Sequence, residues 1–245
     1  MQKKLSIIIP CLDEDKNIAS ILESLFEVLD NTAIPYEILI VDDKSSDKTY
    51  EVASNWVALH DKSSSIRVVK KELERRGYGA VVKYGLSYAS GEYAVFVSAD
   101  SVDPINLLPM MYQCLESGID LVQVSRYLKE SDSSSIPLSY KSLQFIYRIA
   151  VRVALGRRIP DSTYAFKMFD RQKILSMGLS SNRFNISPEI LFKAIIGRLN
   201  IQFIPGSQGT RNIGVSKFSF AKEGIGFGMC LVRAFLHRKR IIFWF

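Results

Sequence analysis

Apolar residues along the chain alternate between two rhythms. Residues 5–9 form a β-branched-rich run interrupted by Ser6 alone, and Ile18, Ile21, Leu22, Leu25, Val28 and Leu29 then recur at helical spacing. A short, largely apolar run predicts a buried strand, and a recurrence near 3.6 residues predicts an amphipathic helix. The couple repeats: residues 38–41 precede a helix over 47–60, residues 66–69 precede one over 79–89, and 93–97 is a further strand. Short apolar strands alternating with helices predict an α/β fold whose mostly parallel sheet is covered on both faces. In such sheets ligands bind beyond the carboxyl ends of the strands. The polar segments 10–17, 42–49, 70–79 and 98–104 are therefore the candidate site.

The second half reads less regularly. Residues 120–125 predict another strand, 129–135 a flexible acceptor-side loop, 187–197 a helix and 200–204 a strand. A helix over 138–155 carries Lys141, Arg148 and Arg152 on one face and Leu143, Ile146, Tyr147, Ala150 and Val153 on another. That pattern suits an interfacial helix, and equally a surface helix packed on its own domain. Residues 218–245 place Arg233, His237 and Arg240 among Leu231, Val232, Phe235 and Leu236, then end Ile-Ile-Phe-Trp-Phe. Aromatic residues beside basic ones favour membrane contact over core packing. The expected division is a catalytic domain over 1–217 and a membrane-associating tail over 218–245.

Composition narrows the class. With 245 residues and 47% apolar content the chain can bury one large core. The net charge of +7 calls for a phosphate-bearing partner or an anionic surface. Nucleic acid is disfavoured, because zinc-finger spacing, an aromatic RNA-binding signature and a basic heptad region are all missing and the basic residues gather late. No stretch reaches the roughly 18 apolar residues of a spanning helix, and the run at 5–9 stops at Pro10, so neither a transmembrane helix nor a signal peptide is expected. Cys11, Cys114 and Cys230 are scattered and read as reduced, cytosolic thiols. His60 and His237 sit in no motif, which argues against a histidine metal site or a hydrolase triad.

Asp42 and Asp43 stand at a strand end, with Asp47 as the expected N-cap of the next helix. A carboxylate there can accept hydrogen bonds from a nucleobase imide or a ribose. Neither a G-x-G-x-x-G nor a P-loop is present.

The ordered set of motifs is specific. Ile8-Ile9-Pro10-Cys11-Leu12-Asp13-Glu14 with Asn17-Ile18 is followed by Val41-Asp42-Asp43-x-Ser45-x-Asp47-x-Thr49, then Arg76-Gly77-x-Gly79-Ala80 with Gly85 and Gly91-Glu92-Tyr93. Ser125-Arg126-Tyr127, Asp161-x-Thr163 with Phe166, and Arg211-x-x-Gly214-x-Ser216-Lys217 complete it. The chain resembles the family 2 glycosyltransferases of the GT-A fold, in particular the dolichyl-phosphate mannosyltransferase branch and its bacterial polyprenyl-phosphate relatives.

The resemblance implies a nucleotide-sugar pocket lined by Pro10, Leu12, Glu14, Val41, Asp43, Ala99 and Asp100, with Asp43 facing the base. It implies an Asp-x-Asp motif for a divalent metal, Mg²⁺ or Mn²⁺, after the fourth strand. Here that motif reads Ser98-Ala99-Asp100, and Val102 replaces a common glutamine, so Asp100 alone is left as the metal ligand. It further implies that Arg126, Arg211, Lys217 and, near a family arginine position, Lys141 bind an acceptor phosphate; Asp100, Arg126, Arg211 and Lys217 form the expected catalytic set. A lipid phosphate has its second pKa at about 6 and is already anionic near neutral pH, so it needs cations more than a general base. The implied reaction is inverting transfer of a hexose from a nucleotide diphosphate sugar to a polyprenyl phosphate by a peripheral protein on the cytoplasmic face of a membrane. A membrane-protein partner is left open. Two other readings are transfer to a glycan hydroxyl, for which Glu189 is the available base, and a catalytically impaired nucleotide-sugar-binding protein marked by Ser98.

Overall fold

A computed structural model describes residues 4–245 except 63, 73, 75, 135, 212 and 214–218. In chain order the elements are β1 (Leu5–Cys11), α1 (Ile18–Leu29), β2 (Tyr36–Asp42), α2 (Thr49–Leu59), β3 (Ile66–Lys70), α3 (Tyr78–Tyr88) and β4 (Tyr93–Phe96). After a short 3₁₀ turn come α4 (Leu108–Glu116), β5 (Leu121–Ser125), α5 (Leu138–Leu155), β6 (Lys167–Asp170), α6 (Arg171–Ser176), α7 (Ile186–Ile196), β7 (Ile201–Pro205) and α8 (Phe220–Arg238).

The sheet runs in the order β3-β2-β1-β4-β6-β5-β7. Pairs β1–β2, β1–β4, β2–β3 and β5–β7 are parallel, and β6 is antiparallel to both of its neighbours. Side chains alternate across each strand. Leu5, Ile7, Ile9, Ile38, Ile40 and Val95 therefore pack with α1, α2 and α4 on one face, while Ile8, Leu39, Val41, Ala94 and Phe96 pack with α3, α5, α6, α7 and α8 on the other. Burial on both faces explains why these strands read as near-continuous apolar runs rather than alternating ones.

Three elements were not legible as such in the pattern. The helix α4 is short and begins Leu-Pro, and α6 has only six residues. The strand β6 begins with Lys167, which is fully buried and donates to the Ser187 carbonyl and hydroxyl at 3.0 and 2.6 Å, so its sequence looks too polar for a central strand.

The tail differs from the expectation in one respect. The helix α8 packs against α5 and α7, with Phe227, Cys230 and Ala234 buried, so one of its faces belongs to the core. Ile225, Met229 and Val232 stay exposed. The helix α5 is also turned differently from the simple two-face reading. Tyr147 points inward, its hydroxyl donating to the Phe227 carbonyl at 3.2 Å, whereas Phe145, Ile146, Ile149 and Val153 are exposed. Among the described residues, no helix is long and apolar enough to cross a membrane.

Candidate active site

The carboxyl ends of β1, β2, β4 and β5 open onto one cleft of about 670 Å³. Its floor is set by two strand-end loops laced together. Asp13 Oδ1 accepts from the Ser46 amide at 2.7 Å and its hydroxyl at 3.0 Å, and the Glu14 amide donates to Thr49 Oγ1 at 2.7 Å. Asp47 takes the Thr49 amide at 2.9 Å; the helix starts at Thr49, so Asp47 supplies turn chemistry just ahead of it and is not itself the N-cap. Asp13, Lys44 and Ser101, one in each of the loops after β1, β2 and β4, have left-handed backbones that turn the chain sharply. Gly77 has φ +117°, and a Cβ there would meet the Asn182 carbonyl at 2.5 Å, which lets the start of α3 close one wall of the cleft.

Pro10, Leu12, Glu14, Asp43, Ala99, Asp100, Arg126 and Arg211 all line this cleft. Val41 does not: it is 1% exposed and packs in the core. Lys141 is half-buried on the first turn of α5, where Tyr140 and Gln144, but not Lys141, line the cleft. Lys217 lies outside the described residues, as do Gly214 and Ser216.

At one end of the cleft, Asp43 Oδ1 pairs with Lys71 Nζ at 2.7 Å, with both side chains buried, and Oδ2 accepts from the Gly77 amide at 3.3 Å. Lys71 holds Asp43 in place from behind. The only sequence signal for it was its position in the third strand-end segment.

In the middle, Asp100 and Asp103 behave differently. Asp103 is buried, accepts from the Ser98 amide at 2.7 Å, and is pushed up to about 6 by that burial. Burial also raises the Asp100 carboxyl, against the pull of Arg211. Asp100 Oδ1 is buried without a hydrogen-bond partner, and Oδ2 lies 3.6 Å from Arg211 Nη1. Arg211 Nη2 contacts both oxygens of Glu14, at 2.5 and 2.7 Å.

Toward the other end, Arg126 is held in a tight bracket. Its Nε and Nη2 donate to the Asp161 carboxylate at 2.8 and 3.2 Å, Nη2 also to Thr163 Oγ1 at 3.0 Å, and Nη1 to Gln208 Oε1 at 2.9 Å. Its guanidinium stacks over the Tyr164 ring at 4.6 Å. Burial alone would raise the Asp161 carboxyl, but Arg126 beside it holds it below the ordinary carboxylate range. Asp161 and Thr163 stood in a motif without an assigned role, and Gln208 carried no signal. Tyr78, Tyr127, Tyr140 and Phe184 give the cleft aromatic walls, with the Tyr127 ring 5.5 Å from the Arg126 guanidinium.

The orphaned Asp100 oxygen fits one position in the shell of a divalent cation that takes its other ligands from water and substrate phosphates. Among the described residues no cluster of three or more His, Cys, Asp or Glu offers a fuller cage. Glu189, the residue available as a base for a hydroxyl acceptor, is wholly buried elsewhere. It pairs with Lys193 at 3.0 Å and accepts the Ser180 and Ser181 amides at 2.9 and 2.7 Å.

The profile of the family described as Glycosyl transferase family 2 matches residues 6–177. Dolichol-phosphate mannosyltransferase of Pyrococcus furiosus is 30% identical over 87% of this chain and 59% of its own length. Dolichyl-phosphate beta-glucosyltransferase of Dictyostelium discoideum is 27% identical over 94% of the chain and 73% of its own length. The undecaprenyl-phosphate 4-deoxy-4-formamido-L-arabinose transferase of Photorhabdus laumondii is 25% identical over 90% and 64%. The chain thus spans well under two thirds of the length of the Pyrococcus protein. Glucosyl-3-phosphoglycerate synthase from Mycobacterium tuberculosis, crystallised with Mn²⁺, UDP and phosphoglyceric acid, superposes with a TM-score of 0.67 at 21% identity, covering 96% of this chain and 78% of that one; at that identity the likeness shows the GT-A fold alone.

Proposed function

The chain belongs to glycosyl transferase family 2, and we propose that it transfers a hexose from a nucleotide diphosphate sugar to a polyprenyl phosphate in a single inverting displacement. One observation carries this choice of acceptor: the carboxylates lining the cleft are Glu14, Asp43, Asp100 and Asp103, and each is engaged by a cation or a backbone amide. Asp103, which feels the charge of Arg126, is buried and held by the Ser98 amide. An ionised phosphate needs no base. Its oxygen attacks the anomeric carbon, the bond from that carbon to the diphosphate breaks, and the nucleoside diphosphate leaves with the electron pair. The names of the relatives, two acting on dolichol phosphates and one on undecaprenyl phosphate, support the same class of acceptor. With Glu189 buried and paired, transfer to a glycan hydroxyl loses its base.

In this reading Asp43 receives the nucleobase, Pro10, Leu12 and Ala99 shape the nucleotide pocket, and Arg126, with Arg211 and Lys217 in support, meets phosphate. Lys141 contributes long-range charge at the mouth of the cleft. A divalent metal, held by Asp100, would supply charge compensation on the departing diphosphate. Incubation with membranes, Mn²⁺ or Mg²⁺ and a panel of labelled nucleotide sugars should give an acid-labile glycolipid. Failure to label any polyprenyl phosphate, or tight nucleotide binding without turnover, would overturn the assignment.

The acceptor's lipid nature agrees with the exposed apolar residues of α5 and α8, two helices that pack on one another. We assign this face to the cytoplasmic surface of a bilayer rather than to a membrane-protein subunit, because Lys141, Arg148, Arg152 and Arg233 accompany it and each basic residue near an anionic surface is worth roughly 1 kcal/mol. The division near residues 217 and 218 is then one of task, with catalysis before it and membrane contact shared by α5 and the tail. Ile146→Asp with Ile149→Asp should shift the protein out of the floated fraction with vesicles containing anionic lipid. Unchanged flotation would remove the assignment.

A further inference from the structure

Each cation described so far around the cleft is matched by an acid. Lys71 pairs with Asp43, Arg126 with Asp161, and Arg211 faces Glu14 and Asp100. A pair that cancels itself gives an incoming anion a direction but little net attraction. Lys167 is different. Its side chain is fully buried at the start of β6, two residues beyond Ala165 in the cleft wall, and among the described residues no carboxylate lies within ion-pair distance of it. An ammonium buried without a carboxylate is costly, and such a group commonly marks a working site.

The hydrogen bonds of Lys167 lead to the Arg126 end of the cleft. Nζ donates to the Ser187 carbonyl at 3.0 Å and hydroxyl at 2.6 Å, and that hydroxyl reaches the Tyr164 and Thr163 carbonyls at 2.8 and 3.1 Å. Gln123, opposite Lys167 on β5, also donates to the Tyr164 carbonyl, at 3.1 Å. These contacts fix the back of the turn whose front holds Arg126: Asp161 and Thr163 accept its donors, and the Tyr164 ring lies under it. Burial pulls the Lys167 ammonium down to about 7, with Asp161 opposing that fall and Arg126 adding to it. Its other neighbours bring no competing charge. Ala94, Val95 and Phe96 of β4 are apolar, Gln123 and Ser187 are neutral, and Glu189 and Lys193 further along α7 pair with each other.

We propose that Lys167 is a positioning residue for the acceptor phosphate: through Ser187 it locks the turn that aims Arg126, and its ammonium supplies the net positive charge that the Arg126–Asp161 pair lacks. A bound phosphate dianion favours the charged ammonium, so acceptor affinity falls as pH rises and Lys167 loses its proton. The inference rests on the reading of the Arg126 end as the acceptor site, and binding measurements separate the two.

Calorimetric binding of farnesyl phosphate in detergent, from about pH 7 to about pH 9, is the test; with a second pKa of about 6 the probe is already mostly a dianion over that range. The wild-type Kd should rise about fivefold across it. Lys167→Met, which keeps length and packing, should bind at least about fivefold more weakly at the lower pH and change less than about twofold by the upper one. Lys167→Arg, charged throughout, should bind as tightly at the upper pH as at the lower. Ser187→Ala keeps the ammonium and loosens the turn, so affinity should drop while the pH dependence stays. Affinity for UDP or GDP, whichever binds, should stay within about twofold of wild type in all three variants, since the donor contacts are untouched. A wild-type Kd that is flat over the range, or a Lys167→Met protein that keeps the wild-type affinity or slope, overturns the role of Lys167 and leaves the acceptor site standing. If Lys167→Met fails to fold, a wild-type slope that Lys167→Arg abolishes supports the role, and one that Lys167→Arg keeps overturns it. Failure of the wild type to bind the probe at any pH overturns the acceptor reading and this inference with it.

Discussion

Asp161→Ala should lower the stability of the protein by about 3–5 kcal/mol, the range seen when one partner of a buried ion pair is removed. Asp161 is wholly buried and the Arg126 side chain only 13% exposed, so the variant leaves a guanidinium with Thr163 and Gln208, both neutral, as its remaining acceptors. The lost carboxylate also accepts the Thr163 and Tyr164 amides at 3.2 and 3.3 Å, so the turn leading into β6 loosens with it. The pH dependence has a definite sign. The Asp161 carboxyl lies below its ordinary value in the folded protein, so its contribution is present above the unfolded pKa of about 4 and fades as pH falls through the folded value. Urea unfolding at pH 7 should show the full deficit, and the difference between wild type and variant should narrow steadily as the pH is lowered below 4. A deficit under 1 kcal/mol at pH 7, or one that does not shrink in acid, would mean that Arg126 is held by the rest of its bracket.

Such a pair could not be weighed from the sequence, although both residues stood in motifs. What pattern reveals is periodicity, and β1, β2 and α1 through α3 showed it because their strands are buried on both faces and their helices on one. The same rule hid β6, where a buried lysine that caps a carbonyl looks like a surface residue. Val41, which the resemblance put in the pocket, lies one turn of the pleat below the strand end and is buried under α3. Periodicity also could not orient α5: Ile146 and Tyr147 are adjacent and both apolar in character, yet only contact with α8 decides which one turns inward. The strand-end acids Glu14, Asp43 and Asp100 were legible because topology puts all strand ends of one direction on one edge. Their partners were less so. Lys71, Arg211 and Gln208 reach the edge from loops whose paths depend on tertiary contacts such as the hydrogen bond from the Gly209 amide to the Val102 carbonyl.

The largest effect on donor recognition is expected at Asp43, and its buried partner makes a single substitution ambiguous. Asp43→Ala removes a charged acceptor from the base end, which should weaken nucleoside diphosphate binding by about 1.5–3 kcal/mol, roughly ten- to hundredfold. It also strands Lys71, fully buried, without its carboxylate. Part of any lost activity would then be lost fold. The double substitution Asp43→Ala with Lys71→Met separates these, because it deletes the buried cation together with its carboxylate while leaving the base without its acceptor. The double variant should recover most of the stability lost by Asp43→Ala yet bind nucleotide no better than it does. In turnover, the donor KM should rise by a similar factor with kcat changed only a few fold, since a base contact far from the reacting carbon is made equally in ground and transition states. Recovery of nucleotide affinity in the double variant would show that Asp43 serves Lys71 and the fold, and the base would have to be recognised elsewhere in the cleft.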